Sequence, residues 1–164
     1  MNTLMAWLII LRGVTGIGKS TTADRLVERL GKNGTSCLNM DEIRQIEIEK
    51  NIERALKFEY VIAHIYSGQQ NTEDPGNWIS RFKDGGYRTL SIRLDISLEA
   101  GRKRCLQRDP GRTDYDRLYH RFYHCPKFTE FPKKAEIEEV PINVENKDTE
   151  TICNDILKAI NHLQ

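Results

Sequence analysis

The sequence predicts an α/β fold, a three-layer α/β/α sandwich built on a five-stranded parallel sheet. Two observations predict it. Short apolar runs alternate along the chain with segments of helical periodicity. The first apolar run, residues 7–11, leads through a glycine-rich loop into such a helical segment. Alternating strands and helices form parallel sheets covered on both faces, so ligands are expected at the carboxyl ends of the strands.

Length and composition predict a single domain over residues 1–164. Charged residues make up 30% of the chain and hydrophobic residues 38%, as in globular proteins that work in water. The net charge of +1 argues against a bulk electrostatic nucleic-acid binder. The longest apolar stretch, residues 6–11, is too short to cross a bilayer. We therefore expect a cytoplasmic protein without a membrane partner.

The glycine-rich loop carries the most specific signal. Residues 13–20 read G-V-T-G-I-G-K-S and match G-x-x-x-x-G-K-[ST] at every fixed position. The backbone N–H groups of such a loop and the following helix N-terminus form an anion site, here predicted for a nucleoside triphosphate. Lys19 is expected to reach the β- and γ-phosphates, and the Ser20 hydroxyl to ligate Mg²⁺. The predicted phosphate-binding residues are Gly13, Val14, Thr15, Gly16, Ile17, Gly18, Lys19, Ser20 and Thr21.

The first half of the chain yields three predicted strands. Strand one covers residues 4–11, and the helix after the loop runs to about residue 30, where glycines end it. Strand two covers residues 36–40 and delivers Asp41 at its carboxyl end, before a helix over about residues 42–57. Residues 60–66 are predicted as strand three, although a continuation of the preceding helix fits the short apolar run as well.

The second half follows the same alternation. A turn-rich loop over residues 68–76 precedes a short helix, and alternating Leu90, Ile92 and Leu94 predict strand four. Ser97 is the expected cap of the next helix. The remaining predicted elements are the helix over 77–83, strand four over 88–95, a helix to about 107, an irregular basic and aromatic segment over 108–134, strand five over 141–144 and a final amphipathic helix.

Other classes of protein that contain this loop motif do not match the rest of the sequence. GTPases need a guanine-specific N-K-x-D, whereas residues 146–149 read N-K-D-T, and no D-x-x-G switch follows a suitable strand. ATPase motors need a strand ending in a carboxylate, and predicted strand three contains none. The chain is also too short for a motor's accessory subdomain. A small phosphotransferase remains.

Residues 41–44, D-E-I-R, supply candidate catalytic groups at the end of strand two. A carboxylate at Asp41, across from the γ-phosphate, is predicted to accept the proton of an attacking hydroxyl as general base. Arg44, one turn later, is predicted to clamp an anionic group of the acceptor. The alternative is an aspartate that caps a helix, followed by a solvated arginine.

Arginines follow the fourth predicted helix. Arg108 and Arg112 flank a D-P-G turn at the start of the basic segment over about residues 108–134. We expect this segment to be a lid that closes over the triphosphate, excludes water and supplies positive charge to the transition state. The alternative is a solvated basic helix.

These motifs resemble the small P-loop kinase superfamily, nearest its adenylylsulfate kinase and polynucleotide kinase branches. Residues 38–44, L-N-M-D-E-I-R, resemble L-D-G-D-x-x-R of the former and R-D-D-x-R of the latter, in which the aspartate is the general base. Residues 108–111 resemble the start of the R-D-P-K-G-L-Y lid of adenylylsulfate kinases. The resemblance implies a P-loop NTPase architecture of the nucleoside-kinase type, with ATP and Mg²⁺ as cofactors and γ-phosphoryl transfer to a hydroxyl.

The acceptor stays open, because residues 64–70 carry neither the F-I-S-P-x-R of adenylylsulfate kinases nor the D-x-T/N-N of polynucleotide kinases. The near-neutral charge favours a nucleotide-like small molecule. Tyrosines, histidines and arginines interleaved over residues 115–123 favour instead the 5′-hydroxyl end of a nucleic acid, unless they pack within the lid. A non-catalytic module that senses ATP is the alternative of another class, although it has no need of Asp41.

Overall fold

The computed structural model describes residues 4–66 and 75–163. Within them the strands form one parallel sheet in the order β2-β3-β1-β4-β5. The strands are β1 (Trp7–Gly13), β2 (Thr35–Asn39), β3 (Tyr60–Tyr66), β4 (Arg88–Asp95) and β5 (Glu138–Asn143). This confirms the predicted three-layer α/β/α architecture, since helices connect successive strands and cover both faces of the sheet.

The helices follow the strands in the expected alternation. A single 3₁₀ turn (Gln45–Glu47) precedes the second helix. The helices are α1 (Lys19–Leu30), α2 (Ile48–Ala55), α3 (Pro75–Asp84), α4 (Leu98–Arg108), α5 (Tyr115–His124), α6 (Pro126–Thr129), α7 (Phe131–Lys134) and α8 (Thr149–His162). In the described part of the chain, none of them combines the length and the apolar character that crossing a membrane demands.

Strand β1 lies at the centre of the sheet and is buried along its whole length. Trp7, Ile9 and Leu11 point into the core under α1 and α8, while Leu8 and Ile10 point into the core under α2 and α3. A strand covered on both faces reads as a continuous apolar run, which explains the sequence signal of β1. Its carboxyl end therefore opens into the glycine-rich loop at the middle of the sheet edge.

One ambiguous prediction is resolved by strand pairing, and two others are confirmed directly. Residues 60–66 form strand β3, which lies between β2 and β1 and pairs in parallel with both, so the helical alternative is wrong. Strand β4 has the predicted bounds. The Ser97 hydroxyl accepts a hydrogen bond from the Ala100 amide at 3.2 Å, which confirms the predicted cap of α4.

The structure corrects three predicted segments. The stretch over residues 108–134 is not irregular, because Tyr115, Leu118 and Phe122 place one buried face on α5, and α6 and α7 follow. Strand β5 begins at Glu138 rather than 141; Pro141 is tolerated because β5 is an edge strand. The helix predicted over 42–57 is shorter and begins with the 3₁₀ turn. The loop predicted over 68–76 falls largely outside the described residues.

Candidate functional site

The loop between β1 and α1 depends on two glycines in the left-handed region. Gly16 has φ 74° and Gly18 has φ 97°, conformations that residues with a Cβ rarely adopt. Gly18 caps α1, and its carbonyl accepts the first helical hydrogen bond, from the Thr22 amide. The first N–H groups of α1, which have no acceptor within the helix itself, lie beside the loop, so the loop has the shape and polarity of an anion site.

Lys19 lies inside this loop and is 7% exposed. Its ammonium donates to the carbonyl of Gly13 at 2.7 Å and to that of Val14 at 3.0 Å. Burial lowers the pKa of Lys19 to about 8, and the carboxylate of Asp41 partly opposes that shift. Asp41 is therefore close enough to interact with the lysine electrostatically, as the phosphoryl-transfer interpretation requires.

A cavity of about 150 Å³ opens on the loop. It brings together residues from four parts of the chain: the loop and start of α1, the segment just after β2, strand β3, and the end of α4. The lining residues are Thr15, Gly16, Gly18, Lys19, Ser20, Thr21, Asp41, His64 and Arg108. Of the predicted catalytic residues, Lys19, Asp41 and Arg108 thus share one cavity.

Arg44 and Arg112 are not among the residues that line this cavity. The Arg44 side chain is 73% exposed and pairs with Glu47 at 2.7 Å. Arg112 donates from Nε to Asp114 at 2.7 Å. Their predicted roles as acceptor clamp and lid arginine would require these contacts to rearrange, and both roles stay predictions.

A second cavity, of about 440 Å³, adjoins the outer side of the loop. Arg108 and Gly16 line both cavities, so the two are continuous along the loop. The sequence analysis missed most of this wall, which combines the end of α4 with the turn before α8. Its residues outside the loop and α1 are Arg104, Gln107, Arg108, Lys147, Asp148, Thr149 and Ile152. The sequence signal for this wall is the polar turn over residues 146–149, which we interpreted only as a mismatch to the guanine-specific N-K-x-D motif.

His64 is the other residue that sequence reasoning missed. It is 5% exposed and lies on β3, where a single polar side chain interrupts an apolar run. Burial lowers the pKa of His64, and the charge of Lys19 lowers it further. The imidazole is therefore neutral near pH 7 and offers one donor and one acceptor nitrogen.

The donor set suits Mg²⁺ rather than a softer metal. The hydroxyl of Ser20 and the carboxylate of Asp41 both line the phosphate cavity, and hard oxygen donors are what Mg²⁺ prefers. Among the described residues, no cluster of three or more histidine, cysteine, aspartate or glutamate side chains forms a metal cage.

Solved structures with the same fold cover nearly the whole chain. A gluconokinase from Sinorhizobium meliloti aligns with a TM-score of 0.60 and 16% identity over 97% of this chain and 94% of its own. A shikimate kinase from Acinetobacter baumannii, solved in complex with shikimate, aligns with a TM-score of 0.58 and 16% identity over 97% and 95%. The chain has the P-loop kinase fold. A polyphosphate kinase 2 from Arthrobacter aurescens shares this fold at a TM-score of 0.68 and 16% identity, over 99% of this chain and 71% of its own.

Neither a protein-family model nor a curated protein sequence matches the chain. The P-loop kinase fold is thus recognised from the structure and from the loop motif, at identities too low to transfer an activity.

Proposed function

We propose that this protein transfers the γ-phosphoryl group of ATP, bound with Mg²⁺, to a hydroxyl of a small nucleotide-like molecule. One observation carries the proposal. A single cavity joins the phosphate-loop lysine, the Mg²⁺-competent hydroxyl of Ser20, the carboxylate of Asp41 and the guanidinium-bearing end of α4. A sensor of ATP needs the loop but not a carboxylate facing it.

Each residue has a role set by its charge. Backbone N–H groups of the loop would hold the triphosphate, and Lys19 and Arg108 would neutralise charge that develops on its oxygens. As the acceptor oxygen forms its bond to the γ-phosphorus, the bond from that phosphorus to the β,γ-bridging oxygen breaks and ADP leaves. Asp41 would take the proton of the attacking hydroxyl. Bound Mg²⁺ supplies further neutralisation of the phosphates.

The second cavity would hold the nucleoside of ATP. It shares Gly16 and Arg108 with the phosphate cavity, but Asp41 does not line it. A nucleotide in this orientation places its γ-phosphate toward Asp41 and its base toward the turn before α8.

Two observations support a small acceptor over a nucleic-acid end. Tyr119 donates its hydroxyl to the Ile96 carbonyl, and Tyr123 donates to Asp95, each at 2.8 Å. These tyrosines are engaged inside the protein, which favours the packing interpretation of the aromatic segment. The gluconokinase and the shikimate kinase that share the fold are named for small acids.

The test is ADP release from ATP·Mg²⁺ against a panel of hydroxyl compounds: adenylylsulfate, nucleosides, nucleotides, sugar acids and 5′-hydroxyl oligonucleotides. Lys19→Ala is the blank. We expect one small-molecule class to give release that the blank lacks. Release with oligonucleotides alone would establish the nucleic-acid alternative, and silence across the panel with intact ATP binding would favour the sensor.

The base assignment is tested with the acceptor so found. Asp41→Asn removes the proton acceptor and should lower turnover by roughly 100-fold or more. Glu42→Gln is the matched control, because this neighbouring carboxylate is exposed and does not line the cavity. Near-normal turnover in Asp41→Asn would show that another group takes the proton.

A further inference from the structure

His64 stands out among the histidines of the chain. The sequence contains four, and the other three, at 120, 124 and 162, are exposed, whereas His64 is 5% exposed. In the described part of the chain, no hydrogen bond joins its imidazole to another residue, while the residue lines the phosphate cavity. A buried polar side chain normally has a partner, so an unpartnered one beside a ligand cavity points to a ligand.

The sheet order puts His64 between donor and acceptor. Strand β3 lies between β1, which leads into the phosphate loop, and β2, which leads to Asp41. In the sheet register His64 lies opposite Leu11 on one side and Asn39 on the other. Its carbonyl accepts from the Met40 amide at 3.1 Å, which holds the chain next to Asp41. The transferred phosphoryl group would pass between the phosphate loop and Asp41, and His64 lies between them.

The charges around the imidazole decide how it could act. Lys19 carries positive charge toward it, and Asp24 and Glu42 are the acidic residues that act on it from α1 and from the segment after β2. A neutral imidazole in this setting has an N–H donor to offer. The γ-phosphate is the only part of ATP that distinguishes it from ADP and the part that reaches toward Asp41.

From this geometry we propose that His64 is a further catalytic residue, which donates its imidazole N–H to an oxygen of the γ-phosphoryl group. The proposal rests on the proposed phosphotransferase function. It makes the site selective for a triphosphate over a diphosphate, because the hydrogen bond exists only when the γ-phosphoryl group is present.

Selectivity can be measured without knowing the acceptor. Calorimetry gives the affinity of the protein for the non-hydrolysable β,γ-imido analogue of ATP and its affinity for ADP, each in the presence of Mg²⁺. His64→Leu should lower the ratio of the two affinities about tenfold, equivalent to about 1.4 kcal/mol. His64→Asn or His64→Gln, whose amide nitrogens can replace one imidazole N–H, should recover part of the ratio. Thr35→Val is the control, since Thr35 is also 5% exposed and unpartnered but lies at the opposite end of the sheet.

A second readout uses the unmodified protein, in case the variants do not fold. Ring ¹H–¹⁵N spectra contain signals of four histidines, and substitution of the three exposed ones assigns the signal of His64. The analogue should shift that signal, and ADP should shift it far less. An unchanged affinity ratio in folded His64→Leu, or equal shifts with both nucleotides, would overturn the proposal while leaving the kinase function intact. Failure to bind either nucleotide would instead contradict the proposed function itself.

Discussion

Lys19 couples the binding of a nucleotide to the uptake of a proton. Its pKa is about 8 in the folded chain because burial disfavours the ammonium, against an ordinary value of 10.5. Between these values the unfolded chain binds more protons than the folded one, so this residue makes stability rise with pH from about 8 to 10.5. A bound triphosphate supplies negative charge and raises the lysine pKa again.

Binding of Mg²⁺ and ATP at about pH 9 should therefore take up a fraction of a proton. Calorimetry in two buffers of different ionisation enthalpy measures this uptake. At about pH 7, where the lysine is already mostly protonated without nucleotide, the uptake should be much smaller. A binding enthalpy that is the same in both buffers for the original chain would contradict the lowered lysine pKa.

At the scale of the elements, Gly101 of α4 packs directly against Tyr115 of α5. A Cβ built on this residue would overlap the Tyr115 hydroxyl and lie 2.9 Å from its Cζ. Within a helix, alanine is favoured over glycine by about 1 kcal/mol, whereas overpacking costs roughly 1–3 kcal/mol. The rigid ring leaves little room to relax, so overpacking should exceed the helical gain.

Gly101→Ala should therefore lower the free energy of unfolding by about 1–2 kcal/mol in urea titrations. Tyr115→Phe should recover part of this loss in the alanine background, because it removes the overlapping atom. Within residues 4–66 and 75–163 the Tyr115 hydroxyl has no hydrogen-bond partner, so its removal alone should cost little. Gly111→Ala is the control, because a new Cβ there would lie 3.9 Å from the Asp109 carboxylate, at ordinary van der Waals distance. Equal stability of all these variants would refute the packing argument.

Arg12 holds the helices of the basic segment against the sheet. It is buried, pairs with Glu139 of β5 and donates to the carbonyl of Phe128 in α6. Its guanidinium also lies over the rings of Phe122 and Phe131, at 5.5 and 4.6 Å from their centroids. One side chain of β1 thus contacts α5, α6, α7 and β5.

Removing the Glu139 carboxylate leaves the buried Arg12 charge without its ion-pair partner, whereas removing Arg12 leaves Glu139 with Arg93 at 3.6 Å and the Ser91 hydroxyl at 2.7 Å. Glu139→Ala should therefore cost about 3–5 kcal/mol of unfolding free energy, and Arg12→Met should cost less. The exposed pair Arg102–Asp116 is the comparison, and Asp116→Ala should cost about 1 kcal/mol or less. Chemical denaturation measures both losses of unfolding free energy. Similar losses at the two sites would show that burial does not determine how much the Arg12 pair contributes to stability.

At the scale of the whole molecule, the two cavities beside the phosphate loop lie at the carboxyl edge of the sheet. Ligand bound there should slow amide exchange over residues 13–22, 104–108 and 147–152, which line them. At 100 times the dissociation constant, global stability should rise by about 2.7 kcal/mol. At the turn at Gly86 and at the start of β2, amide exchange should slow only as much as the rise in global stability requires. Extra protection there, equal to that of the loop, would place the nucleotide elsewhere; Lys19→Ala should show little protection anywhere.

Local patterns predicted much of this architecture. The phosphate loop, strand β4 and the Ser97 cap were readable because each depends on neighbours within a few residues. The bounds of β5 were wrong because an edge position, which no local pattern reveals, lets Pro141 lie inside a strand. Helix α5 was missed because its charged and aromatic residues hide the buried face formed by Tyr115, Leu118 and Phe122.

The sequence by itself determined the fold class and the anion-binding loop, because alternating periodicities and a contiguous motif are written in consecutive residues. The sequence also predicted Asp41 and Arg108 beside the loop, but only the tertiary structure decided that His64 joins them and that Arg44 and Arg112 do not line the same cavity. Asp41, His64 and Arg108 come from separate elements, and their meeting depends on the strand order β2-β3-β1 and on the packing of α4. That order arises from the burial of two apolar faces over long sequence separations, which no short stretch of the chain contains.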